Sequence, residues 1–188
     1  NGATLNAISG SHIYVNGSVK NELGTINIDE EVGIPSEIFI TQDIINNSEL
    51  IGDGYIRLLG NWYNNASFTS NNGTVFFEGA NQLISGSVET NFFNITLDGS
   101  GFKTQEIHAY SSGVLDLKHL ELQTEVFNFY VENTDLNAIQ RTSGFVSSLN
   151  GGFLSRRTSE LETYLFPVGS SLGTLRYRPV ELKPTVTQ

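Results

Sequence analysis

Three nine-residue stretches decide the fold: Ile13-Tyr-Val-Asn-Gly-Ser-Val-Lys-Asn21, Ile38-Phe-Ile-Thr-Gln-Asp-Ile-Ile-Asn46 and Ile56-Arg-Leu-Leu-Gly-Asn-Trp-Tyr-Asn64. They align without gaps, and internal self-similarity is the first signal to read in a sequence. The shared frame is apolar, any, apolar, any, Gly or Gln, any, apolar, any, Asn. Alternation puts Ile13, Val15 and Val19 on one side of an extended chain, with Ile38, Ile40, Ile44 and Ile56, Leu58, Trp62 in the same places. Gly17 and Gly60 in mid-frame permit a bend, after which the next apolar position again points inward. The closing Asn21, Asn46 and Asn64 suit either a turn with positive φ or a ladder of stacked amides.

The same grammar continues downstream with looser spelling. Gly73-Thr-Val-Phe-Phe-Glu-Gly79 reads as a strand between glycines, and Asn91–Gly99 alternates Phe93, Ile95 and Leu97. Gly113–Leu122 alternates Leu115 and Leu117, then Leu120 and Leu122 after a one-residue slip, and Val126–Val131 follows. Turn clusters separate these runs. Short β units at a spacing near 20 residues predict an all-β parallel solenoid, each coil covering its neighbour's apolar side, with about six or seven coils at ~4.8 Å each. The alternative is an antiparallel β-sandwich, which regular strand spacing also describes. The solenoid is preferred because a sandwich gives no reason for matched asparagines. Residues 1–150 are assigned to the coils and 151–188 to an irregular C-terminal cap or exit segment holding Pro167, Pro179 and Pro184.

Composition agrees and excludes several functions. Across 188 residues, Asn, Gly and Ser each occur 19 times and Ala only six, so turn and strand formers dominate. The absence of cysteine removes disulfides, thiolate metal sites and thiol nucleophiles. A formal net charge of −10 argues against nucleic-acid partners. No run approaches a membrane span. The missing methionine points to a processed form or excised piece. Charge is uneven: residues 1–140 carry four basic and seventeen acidic side chains, residues 141–188 six and three.

Gly60–Gly79, followed by Gln82-Leu-Ile-Ser-Gly86 and Phe93-Asn-Ile-Thr-Leu97, resembles a repeated unit of large Bacteroidota surface proteins. Gly144-Phe-Val146, Gly151–Arg156, Phe166-Pro-Val-Gly169 and Tyr177-Arg-Pro-Val180 resemble the segment that closes such regions. The resemblance spans most of residues 13–180. It implies a right-handed β-helix exported by a type IX secretion system, extracellular, associated with adhesion or gliding, and engaging the outer-membrane secretion machinery during export. It carries no catalytic residues. No sorting domain is visible after Pro184, so the export route is expected of a longer parent chain.

Candidate chemistry is sparse. His12, His108 and His119 lack ligand spacing and read as surface or turn residues. Asn133-Thr-Asp135 matches a tripeptide of β-helical polygalacturonases, but the other parts of a paired-carboxylate site are missing, and a turn is preferred. Asp29-Glu-Glu31 and Asp53 are candidate calcium ligands, with solvated acidic turns preferred. Trp62 is expected in the core and Tyr63 outside. Tyr14, Phe39 and Arg57 share one outward position in successive coils; with Tyr63, Tyr110 and Tyr130 they are candidates for an aromatic strip facing a glycan or protein partner. Arg156, Arg157, Arg176 and Arg178 form a basic cluster, either for an anionic lipid or polysaccharide or for salt bridges from the cap to the acidic coils. The expected function is a non-enzymatic extracellular module presenting a rigid rod for adhesion or spacing. The alternatives are a carbohydrate-active β-helix enzyme and a glycan-binding module.

Overall fold

The computed structural model describes residues 2–31 and 33–186, the side chain of Glu31 excepted. The chain winds into a parallel β-solenoid of about seven turns, consistent with a right-handed β-helix. Face A stacks His12–Val15, Glu37–Ile40, Tyr55–Leu58, Thr74–Phe77, Asn94–Leu97, Leu115–Asp116 and Ile139–Gln140. Face B stacks Val19–Asn21, Ile44–Asn46, Trp62–Asn64, Gln82–Gly86, Phe102–Gln105, Glu121–Gln123 and Phe145–Ser147. Face C has two four-stranded parts, Ala3–Ala7 to Ser67–Thr69 and Thr90–Phe92 to Phe153–Arg156. All pairings between coils are parallel, so the sandwich is ruled out.

The register follows the aligned frame. Ile13, Ile38, Ile56, Val75, Ile95, Leu115 and Ile139 are successive partners along face A, and Val19, Ile44, Trp62 and Ile84 along face B. Each nine-residue frame is therefore two strands and the corner between them. Gly60 sits at that corner because a Cβ there would lie 2.3 Å from the Gln42 carbonyl carbon. The apparent slip after Leu117 is the same A–B corner three coils further on. Lys118 adopts φ 44°, its N–H donates to Asp116 Oδ1 (3.0 Å), and its carbonyl accepts from Thr142, Ser143 and Gly144 N–H.

The core is one continuous apolar column from Ala7 to Leu154. Trp62 is fully buried against Phe68 and Phe92 (ring centroids 4.9 and 5.4 Å), and its Nε1 donates to Thr90 Oγ1 at 3.2 Å. The reading of Phe93 as the inward residue is corrected: Phe92 is buried and Phe93 half-buried. The corner between Thr90–Phe92 and Asn94–Leu97 resets the alternation, so one phase cannot run through both strands.

The asparagines form the ladder. Asn21 Nδ2 donates to Asn46 Oδ1 (3.2 Å), and Asn46 Nδ2 donates to Asn64 Oδ1 (3.0 Å). The same amide nitrogens also satisfy the Glu49 and Ser67 carbonyls. The ladder stops at Gly86, which has φ 135° and packs where a Cβ would meet Asn64 O at 2.0 Å. A second ladder runs along the A–B corner, where side-chain oxygens accept main-chain N–H groups of the following coil. Ser18 Oγ serves Asp43, Asp43 Oδ1 serves Asn61, Asn61 Oδ1 serves Leu83, and Asn81 Oδ1 serves Phe102. Buried backbone donors must find partners, and these side chains supply them where strand pairing is interrupted.

The last solenoid strand, Phe153–Arg156, falls inside the segment assigned to the cap. Beyond it, Tyr164–Phe166 pairs antiparallel with Val180–Leu182, and Gly169–Ser170 with Arg176–Tyr177, forming an arm whose residues 171–183 are all exposed. Val146 bridges to Val168, joining the arm to the final coil.

Candidate functional site

Face A carries the densest outward chemistry. Tyr14, Phe39, Arg57 and Phe76 are successive register partners, as the frame requires of the first three. Tyr14 and Phe39 stack with centroids 5.6 Å apart and planes 14° apart. The Arg57 guanidinium lies 3.9 Å over Phe76, its Nε donates to Glu37 Oε2 at 2.7 Å, and its Nη1 bonds Glu78. Burial works against the Arg57 charge, but the two carboxylates outweigh it and move its pKa up. Tyr55 meets Phe76 edge to face, and a shallow groove of about 280 Å³ continues past Thr74, Asn94, Thr96 and Gln140.

The other aromatic candidates do not join this strip. Tyr63 lies on face B between Ile45 and Ser85, its hydroxyl accepting from Asn61 Nδ2 at 3.3 Å. Tyr110 and Tyr130 lie on face C, stacked at 4.7 Å with planes 15° apart. Burial and the hydrogen bond to Glu89 push the Tyr110 hydroxyl up to about 12. In both stacks the rings face one another along the rod axis. One broad face of each ring is spent on its neighbour, while Tyr14, at the edge of its sheet, stays 68% exposed.

The four arginines are likewise separated by task. Arg156 is buried, its Nη1 and Nη2 donating to Leu165 O (2.9 Å) and Asp135 O (2.8 Å) while its guanidinium stacks over Tyr164. Desolvation lowers its pKa. It pins the arm to the coils through carbonyls rather than through a salt bridge. Arg157 stands 3.8 Å from Glu132 on the surface. Arg176 and Arg178 are exposed on the arm.

The remaining candidates are turns and corners. Asn133 Oδ1 accepts from Asp135 N, and Asp135 Oδ1 accepts from Asn137 N at 2.7 Å, capping a short 3-10 turn. Asp53 Oδ1 accepts from Asn72 N at 3.0 Å; Glu30 lies in a two-residue hairpin strand, and the side chain of Glu31 lies outside the described residues. Among the described residues no group of three His, Asp or Glu side chains is placed to hold a metal ion. His12 is 3.6 Å from Glu37, His108 Nδ1 accepts from Asn128 N, and His119 is exposed at a turn.

Sequence reading missed Lys103. It is fully buried on face B, with Nζ donating to Gly79 O (2.9 Å), Ala80 O (2.7 Å) and Ser100 O (3.3 Å). Desolvation lowers its pKa to about 8, against the pull of Asp98. The available signal was register: Lys103 pairs with Gln82, whose amide likewise bonds carbonyls at the A–B corner of the coil before it, those of Leu58 and Gly60. Phe76 and the Glu37–Arg57–Glu78 bridge were missed too, although extending the frame one coil puts Phe76 beside Arg57. Compared with family models, curated proteins and solved structures, the chain matches none of them.

Proposed function

We propose that the chain is a non-enzymatic structural module of an exported bacterial surface protein, a stiff rod that spaces its neighbours and offers its faces for adhesion. The observation that carries this reading is the coil-to-coil bonding outside the sheets. The Asn21–Asn46–Asn64 ladder, the corner acceptors and the outward stacks all tie one coil to the next along the axis. Such bonding resists bending and uses the polar and aromatic residues that a catalytic cleft would need free. The placement at the cell surface draws on the sequence resemblance.

The face A groove favours a second reading, glycan binding, since Tyr55, Phe76, Thr74, Asn94 and Gln140 combine an apolar edge with hydroxyls and amides. One experiment separates the readings. Intact source cells are labelled with antibody, and beads coated with the protein are tested for attachment while soluble products from acidic polysaccharides are assayed. Surface labelling and attachment without turnover support the rod. Labelling confined to the cell interior, or release of sugar products, contradicts it.

A further inference from the structure

The cations of this acidic protein are unevenly spent. Arg57, Lys20, Lys118 and Arg157 face carboxylates; Lys103 and Arg156 hold main-chain carbonyls; Arg141 donates to Gly144 O and stacks over Tyr177 at 4.0 Å. Like the exposed Lys183, Arg176 and Arg178 have no such partner among the described residues, although the chain holds twenty carboxylates. Both line a cleft of about 360 Å³ between the final coil and the arm, closed by Val146, Val168, Ser148 and Ser170.

Among the described residues, no carboxylate lines that cleft. Strand alternation sends Arg176 and Arg178 to one side of the arm and Tyr177 to the other, under Arg141. Ser148 Oγ accepts from Thr124 Oγ1 (3.2 Å), and Ser170 Oγ accepts from Leu172 N (3.1 Å). Ser170 therefore retains its own proton to donate, while Ser148 shares the single Thr124 hydroxyl proton with the Ser147 carbonyl (3.1 Å). The walls thus offer two guanidinium forks and two serine hydroxyls beside the half-buried Val168.

We infer that this cleft binds a sugar unit bearing a carboxylate or sulfate group. The anion takes the arginine forks, the sugar hydroxyls meet Ser148 and Ser170, and the apolar face of the ring rests on the half-buried Val168. A concave site of this volume fits a compact anionic ring better than a flat lipid surface. The inference concerns a different site from the rod faces and stands or falls apart from the spacing role.

The test is calorimetric titration of the whole chain with digalacturonate, its methyl ester, a sulfated disaccharide, inorganic sulfate and anionic vesicles. The wild-type protein is expected to bind the uronate or the sulfated sugar, and the tighter of the two identifies the source of the anion. Arg176→Gln with Arg178→Gln weakens that binding about tenfold or more, the ester binds correspondingly less, and Arg157→Gln changes nothing. Both arginines are exposed, so the double variant keeps its circular dichroism spectrum. The inference is overturned if neither acidic sugar binds or if the double variant binds as wild type does. It is also overturned if Arg157→Gln loses as much, if the ester binds equally, or if sulfate or vesicles bind at least as well as the sugars.

Discussion

The coil body and the C-terminal arm are built from similar residues and use them in opposite ways. In the body, an outward Arg57 is held between Glu37 and Glu78 and laid on Phe76, the buried Asn46 amide serves the coils on both sides, and the buried Gln82 amide serves the coil before it. In the arm, Arg176 and Arg178 line an open cleft with no carboxylate partner among the described residues, and Leu172, Leu175, Val180 and Leu182 are exposed. Repetition explains the contrast. Each coil finds a template of matched groups on its neighbour, whereas an antiparallel ribbon laid over the end has matched groups only along its own pairing. Stability therefore concentrates in the coils, and groups free to meet a ligand concentrate in the arm.

The sharpest way to break this contrast is Trp62→Ala. Removing the largest buried side chain is expected to cost about 3–5 kcal/mol in urea unfolding. Lys103 comes next. Between pH 8 and about 10 the folded chain has released a proton that the unfolded chain still holds near its ordinary 10.5, so stability rises with pH across that window, by at most about 3 kcal/mol. Above pH 10 the trend reverses, because the Tyr110 hydroxyl keeps its proton to about 12 only when folded. Lys103→Met removes the rise, as chemical denaturation across that pH range will show.

Asn46→Ala breaks the amide ladder in its middle and strands the Ser67 carbonyl, for about 1–3 kcal/mol. Faster amide hydrogen exchange at the neighbouring corners would mark the loss. Smallest of all, Leu175→Ala on the exposed arm changes the unfolding free energy by no more than about 0.5 kcal/mol. A large effect there would mean that the arm is packed like the coils.

What the sequence made legible was the part that repeats. Ile13, Ile38 and Ile56 announced the inner column, and Asn21, Asn46 and Asn64 the ladder, because the same physical position demands the same residue type coil after coil. Corners hid the rest. At Phe93 and Lys118 the chain turns to a new face, so alternation read straight through them assigns the wrong side or an unexplained slip. Faces hid the site as well. Tyr14, Tyr63 and Tyr110 obey the same outward rule but stand on three different sheets, and only the coil path separates them. Lys103 was invisible because a buried lysine satisfied by main-chain carbonyls looks, in a sequence, like any surface lysine.

In-register stacking is the central claim, and engineered disulfides test it most directly, since the native chain has no cysteine. Tyr14→Cys with Phe39→Cys joins direct parallel neighbours, about 4.8 Å apart across the sheet and within disulfide reach. Tyr14→Cys with Arg57→Cys spans two coils, roughly 10 Å, beyond that reach. Mild oxidation should close the first pair completely and leave the second as free thiols. Closure of the second pair, or failure of the first, would contradict the stacked-coil structure.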